Sequence, residues 1–194
     1  MTYRIGRWTA EEALLSKDET ALIIIDVQEK LFEKVEDKDR IADSICKLIR
    51  FANILGIPII LTEQYPEGLG PTIERIRDLI PNAKPIEKIE FSCMASREFR
   101  RRISEINVKN LVLTGIEAHI CVAQTAIEAI TSGYRVYVVY DAVSSRHGED
   151  KAIAIERMKQ HGAYVVTSEM LMYEVLRRAG TTEFKEILKL VRED

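Results

Sequence analysis

Cysteine, histidine and tryptophan are scarce in this chain, with three, three and one copies among 194 residues. The odd set Cys46, Cys93 and Cys121 has no C-x-x-C spacing. It does not build a closed disulfide framework, so free thiols in a reduced, cytoplasmic setting are expected. His119, His147 and His161 fall in separate segments without a ligand spacing, so no metal site is expected. No apolar run reaches the ~18 residues of a membrane span. The opening residues 1–8 carry charge but no apolar core, which argues against secretion. Charge of one sign is not in excess either: the net value is -3. The densest basic run, Arg100, Arg101 and Arg102, is flanked by Glu98 and Glu105 and reads as a solvated helix face. Nucleic acid is therefore not an expected partner. With no repeat, low-complexity stretch or linker, residues 1–194 are expected to form one domain.

What is present is a recurring unit, a short apolar run that stops at polar residues and leads into a helical pattern. Such runs cover 21–25, 57–61, 111–113, 136–140 and 164–166. They are β-branched and do not alternate, as strands buried on both faces should be. A further short strand is expected to end near Lys88. Helical stripes lie between the runs: Ile41, Ile45, Leu48, Ile49 and Ala52 before Gly56, and Ala118, Cys121, Val122, Thr125, Ala126 and Ala129 before Gly133. Residues 150–161, 168–178 and 182–191 supply three more helices, and a short one is expected at 72–79 inside the Pro- and Gly-marked segment 64–91. Strands alternating with helices predict an α/β fold, a three-layer α/β/α sandwich around a mostly parallel six-stranded sheet.

Ligands of such sheets bind at the carboxyl ends of the strands, near the reversal of strand order. Asp26, Glu63, Gly115 and Asp141 fall at those ends. Asp141 reads best as a cap of the next helix. Asp26 instead runs into Val27-Gln28-Glu29-Lys30, without the Gly-rich turn that cradles phosphates. That argues against a nicotinamide or flavin enzyme, and no cofactor is expected. Cys121 falls in the first turn of a helix, where unpaired N–H groups and the dipole favour a thiolate. A buried core cysteine fits the same pattern equally well. His119, two residues away, points to nearly the opposite side and is expected to pack or line a pocket. Cys46 reads as core, and Cys93 as core or pocket lining near Lys88. Lys88 itself, between Glu87 and Glu90, carries no signal in composition or spacing.

Taken together, Ile25-Asp26-Val27-Gln28, Lys88 followed by Phe91-Ser92, and Gly115-Ile116-Glu117-Ala118-His119-Ile120-Cys121-Val122 resemble the isochorismatase-like cysteine hydrolase family. Thr62-Glu63-Gln64-Tyr65-Pro66, Gly68-Leu69-Gly70, Asp141-Ala142-Val143-Ser144-Ser145-Arg146 and Phe184-Lys185-Glu186-Ile187 narrow the resemblance to one subgroup. It implies a triad of Asp26, Lys88 and Cys121. It also implies a cis peptide at Ile116–Glu117 and oxyanion donors at the N–H groups of Glu117 and Cys121. Gln28, Glu63, Gln64, Tyr65, Phe91 and Glu117 are the expected lining of a small-molecule site. Nicotinamidases of the family place Asp and His metal ligands after the second strand, where this chain has Glu63-Gln64-Tyr65. Members that hydrolyse isochorismate generally lack the cysteine, so Cys121 implies a different substrate. The implied chemistry is hydrolysis of a small amide or related carbonyl compound through an acyl-enzyme. A silent binding or scaffold protein of the same fold is the alternative, and a thiol redox protein a more distant one. Relatives often assemble, so a homo-oligomer is expected, with the apolar C-terminal face of Phe184, Ile187, Leu188 and Val191 either in the interface or packed on its own domain.

Overall fold

A computed structural model describes residues 14–192; the opening residues 1–8 and the outermost ends of the expected 1–194 domain lie outside the described residues. The central strand β1 (Thr20–Ile25) shows why the apolar runs do not alternate. Ala21, Ile23 and Ile25 enter one hydrophobic layer while Leu22 and Ile24 enter the other. A strand covered on both faces needs apolar residues at every position.

β2 (Ile59–Gln64), β3 (Ile86–Lys88), β4 (Asn110–Ile116), β5 (Arg135–Ser144) and β6 (Tyr164–Val166) complete the sheet. All neighbouring pairs are parallel, in the order β3-β2-β1-β4-β5-β6. Chain order reverses between β1 and β4, and the crevice this creates opens at their carboxyl ends.

One face is covered by α1 (Lys38–Leu55), α5 (Ser168–Leu176) and α6 (Thr182–Val191). The other is covered by α2 (Arg97–Ile106), α3 (Ala123–Thr131) and α4 (Gly148–Gln160). The architecture is the expected three-layer sandwich. In α6, Ile187 and Leu190 are buried and the helix packs against α1. Its apolar face therefore serves its own domain. Among the described residues, no helix is long and apolar enough to cross a membrane.

Three local expectations need correction. The short helix placed at 72–79 is a single turn, Glu74–Arg77. Strand β5 does not stop at Asp141 but continues to Ser144. Its pairing with β4 jumps from Leu113↔Val138 to Gly115↔Val143, so an irregularity in the ladder absorbs the polar residues that looked like an end. Asp141 is a cap as expected, but of a different helix. Its Oδ1 accepts the Ser168 backbone N–H at 2.8 Å, at the start of α5.

Candidate active site

Asp26 directly follows β1, and its backbone still pairs with β2 through the Thr62 carbonyl before turning into a left-handed conformation, φ 53. That turn ends the strand with the side chain held in the crevice, where it is wholly buried. A buried carboxylate requires partners on both oxygens. Thr62 on β2 donates its hydroxyl to Oδ1 at 2.7 Å, and Lys88 on β3 donates its ammonium to Oδ2 at 2.6 Å. The Lys88 side chain has no exposed surface and donates further to Gln64 Oε1 at 2.9 Å and to the carbonyls of Phe91 and Glu90. Burial works against its charge, but Asp26, Cys93 and Cys121 outweigh that and hold Lys88 above the ordinary lysine value.

The nucleophile candidate arrives from the other half of the sheet. The penultimate residue of β4 is Gly115, φ 111, where an added Cβ would lie 2.0 Å from the Ile25 carbonyl oxygen. Only glycine lets β4 press this closely on β1 just before the site. The Ile116–Glu117 peptide is cis. The Glu117 carbonyl then accepts from the N–H groups of Ile120 and Val122, which makes residues Ala118–Val122 a π-helical turn ahead of α3. The expected first α-helical turn at Cys121 is replaced by this wider one, a feature that often marks functional sites.

Cys121 is 5% exposed and lies close enough to the Asp26 carboxylate to feel its charge. Burial first, and then the Asp26 charge, push its thiol up from the ordinary cysteine value, while Lys88 pulls it down less strongly. The resting form is a protonated thiol beside a carboxylate. The thiolate suggested by a helix N-terminus does not prevail, because desolvation and the adjacent anion outweigh the dipole.

The remaining predicted residues divide into four groups. Gln64 joins the Asp26–Lys88 pair through Lys88, and its amide nitrogen donates to the Ile89 carbonyl at 2.6 Å. Gln28 and Glu63 brace the 64–72 loop: Gln28 Nε2 donates to the carbonyls of Gln64 and Gly70, and Glu63 Oε1 accepts from both the N–H and the hydroxyl of Thr72. The side chains of Tyr65 and Phe91 are more than half exposed at the rim. Glu117 is buried, and Arg146, which sequence reasoning quoted but did not select, donates Nε to it at 2.7 Å. Thr62 was also passed over, although it stands at a strand end like Asp26. His119 faces Ser145, at 2.9 Å, and Asp150. Among the described residues no His, Cys, Asp and Glu cluster is arranged to hold a metal ion. A hollow of about 830 Å³ between α1 and the start of α5 includes none of Asp26, Lys88 or Cys121, so size alone does not locate the chemistry.

Cys93 is wholly buried beside this group, its sulfur 3.9 Å from the Thr62 hydroxyl. Burial, then Asp26, push its thiol up to about 12 from 9.0. A folded value above the unfolded one stabilises the protein fully below about pH 9, and that contribution is lost as pH climbs towards 12. Cys93→Ala should therefore cost about 1–2 kcal/mol at pH 7 through lost packing. The gap to the parent should narrow by about 1–2 kcal/mol between pH 9 and 10.5, enough to close it. Urea unfolding of both proteins across that range checks this, and a pH-independent difference would contradict it.

The isochorismatase domain matches residues 20–170, a span that holds Asp26, Lys88 and Cys121. The chain belongs to the isochorismatase family. Human isochorismatase domain-containing protein 2 is 34% identical over 174 residues, covering 90% of this chain and 83% of the relative. A Caenorhabditis elegans structure described as MAR1 ribonuclease superposes with a TM-score of 0.88 at 36% identity, covering 93% of each chain. An Escherichia coli YcaC protein, described as an octameric hydrolase of unknown specificity, shares the fold with a TM-score of 0.86 at 24% identity, over 95% of this chain and 92% of its own. Membership of the isochorismatase family supports a hydrolytic role. In this isochorismatase domain the two sides of the site come from opposite ends of strand order: Asp26, Thr62 and Lys88 from β1–β3, and Glu117, Cys121 and Arg146 from the chain after β4.

Proposed function

We propose that the chain is a cysteine hydrolase of small amides or related carbonyl compounds. The observation that carries this reading is the wholly buried Asp26–Lys88 ion pair, 2.6 Å apart, with the buried Cys121 thiol within reach of the charges of both. As sulfur attacks the carbonyl carbon, Asp26 takes the thiol proton. The resulting oxyanion is held by the N–H groups of Glu117 and Cys121, each of which lowers the barrier by on the order of 3 kcal/mol. Asp26 returns the proton to the leaving amine, and water then releases the acyl group from sulfur. Lys88 holds Asp26 Oδ2 at 2.6 Å and offsets the negative charge buried in this dry site.

Burial favours a small substrate over a polymer. The ribonuclease description of the Caenorhabditis elegans structure raises RNA as a second substrate class. Against it, Arg101 on α2 is engaged by Glu98 and Glu105, Arg102 by Glu105 and Arg100 by the carbonyls of Met94 and Ala95, and Asp26 has no exposed surface for a phosphate chain to reach. Among the rivals, the redox reading is weakened by the high, closed-in thiol of Cys93. The three free cysteines fit a reducing, cytoplasmic setting.

The test is a panel of small amides and ureides with a short RNA beside them, read by product formation and by intact mass. Turnover of a small amide with a transient acyl adduct on the Cys121 peptide supports the proposal. RNA cleavage without such an adduct overturns it. Self-association is part of the same reading: Tyr65, Ile89 and Phe91 leave an apolar rim exposed near the site. Light scattering should give a mass of at least two chains, and a monomer at high concentration would rule assembly out.

A further inference from the structure

The Thr62 hydroxyl is wholly buried between two partners of different kind. On one side the Cys93 thiol donates towards it at 3.9 Å; on the other, Thr62 donates to Asp26 Oδ1 at 2.7 Å. A hydroxyl has one proton to give. With the thiol as donor, that proton is committed to Asp26. The backbone at Cys93 is itself fixed, because its N–H donates to Thr125 Oγ1 at 2.9 Å on α3, the helix that continues from the nucleophile's turn. A buried polar line thus runs from α3 through Cys93 and Thr62 to the carboxylate that faces Cys121.

We propose that Thr62 is a positioning residue for the hydrolytic reaction, orienting the Asp26 carboxylate so that it can take the Cys121 proton. The inference rests on the reading of Asp26 as the base. Lys88 holds only Oδ2, and a carboxylate held at one oxygen can still rotate about its Cβ–Cγ bond. Thr62 fixes the second oxygen and with it the plane of the group. Valine at this position keeps the shape and removes the hydrogen bond. Serine keeps the hydrogen bond and removes a methyl group.

The experiment follows alkylation of Cys121 by iodoacetamide, read by mass spectrometry of its peptide from pH 5 to 9, so it requires no known substrate. Asp26 assists this reaction by taking the same proton. Thr62→Val should slow alkylation at pH 7 by about tenfold. Because the lost hydrogen bond favoured the charged carboxylate, the acid limb of the profile should move up by about one pH unit. Thr62→Ser should keep the parent's rate and profile. Thr62→Ala, which also lacks the hydroxyl, serves if the valine variant does not fold. A hydroxyl-free variant with the parent's rate and profile overturns the proposal. So does a serine variant as slow as the valine one. Asp26→Asn in parallel separates the two levels. If it alkylates like the parent, the reading of Asp26 as base fails; if it is slow while Thr62→Val is unchanged, only the role of Thr62 fails.

Discussion

Cys121→Ala should reduce turnover of the amide substrate by at least about 10⁴-fold while leaving the protein folded. The loss is large because, under the proposed mechanism, the sulfur is the atom to which the acyl group attaches. The cost in stability should be small, since a 5% exposed side chain loses a single atom. Asp26→Asn should be similarly inactive, because its amide does not accept the thiol proton. The double variant should be no slower than the worse single one, as expected when two residues act as a unit. The protonated resting thiol adds a second signature. Cys121 should alkylate more slowly at neutral pH than a pre-formed thiolate, with a rate that still climbs above the ordinary thiol range. Steady-state kinetics on the three variants checks the first claim. Parent-like turnover in either single variant, or effects that multiply in the double, would sink it.

The second large effect falls on stability. Lys88→Met should lower it by about 3–5 kcal/mol, because it leaves the Asp26 charge buried without its partner. For a chain of this size that corresponds to a fall in Tm of roughly 10 °C. Asp26→Asn combined with Lys88→Met should regain part of the loss, since two neutral groups then occupy the dry site. Both proteins should be inactive, so the recovery belongs to the fold and not to the chemistry. Melting curves followed by circular dichroism distinguish the cases. A Lys88→Met protein as stable as the parent, or a double variant no better than the single one, would show that the pair is not what holds this corner together.

How far the sequence discloses these features depends on how local their causes are. The strands are visible because burial on both faces imposes an apolar residue at each step, as in 21–25. Asp26 is visible because it stops such a run without a glycine turn. Lys88 is not, because between Glu87 and Glu90 it resembles any surface lysine. What buries it is the parallel register of β3 on β2, which sets Lys88 opposite Gln64, and no local pattern encodes that pairing. The helix capped by Asp141 begins 27 residues further on, so the capping role was legible but not its target. The π-helical turn at Cys121 was hidden for a similar reason. Its bond from Val122 to the Glu117 carbonyl belongs to a geometry that the 3.6-residue stripe does not anticipate. Family resemblance brought Asp26, Lys88 and Cys121 together before the coordinates did, but it passed over Thr62 and Arg146.

The seam between β1 and β4, kept tight by Gly115, has a consequence for how such a protein can diversify. Under the proposed mechanism, proton handling belongs to one flank of the seam and bond making to the other. Loops on the bond-making flank, around Arg146 and the exposed rim, can be rewritten to admit new compounds while the acid–base pair beneath stays untouched. New specificity can therefore arise without rebuilding the part of the molecule that makes the reaction possible.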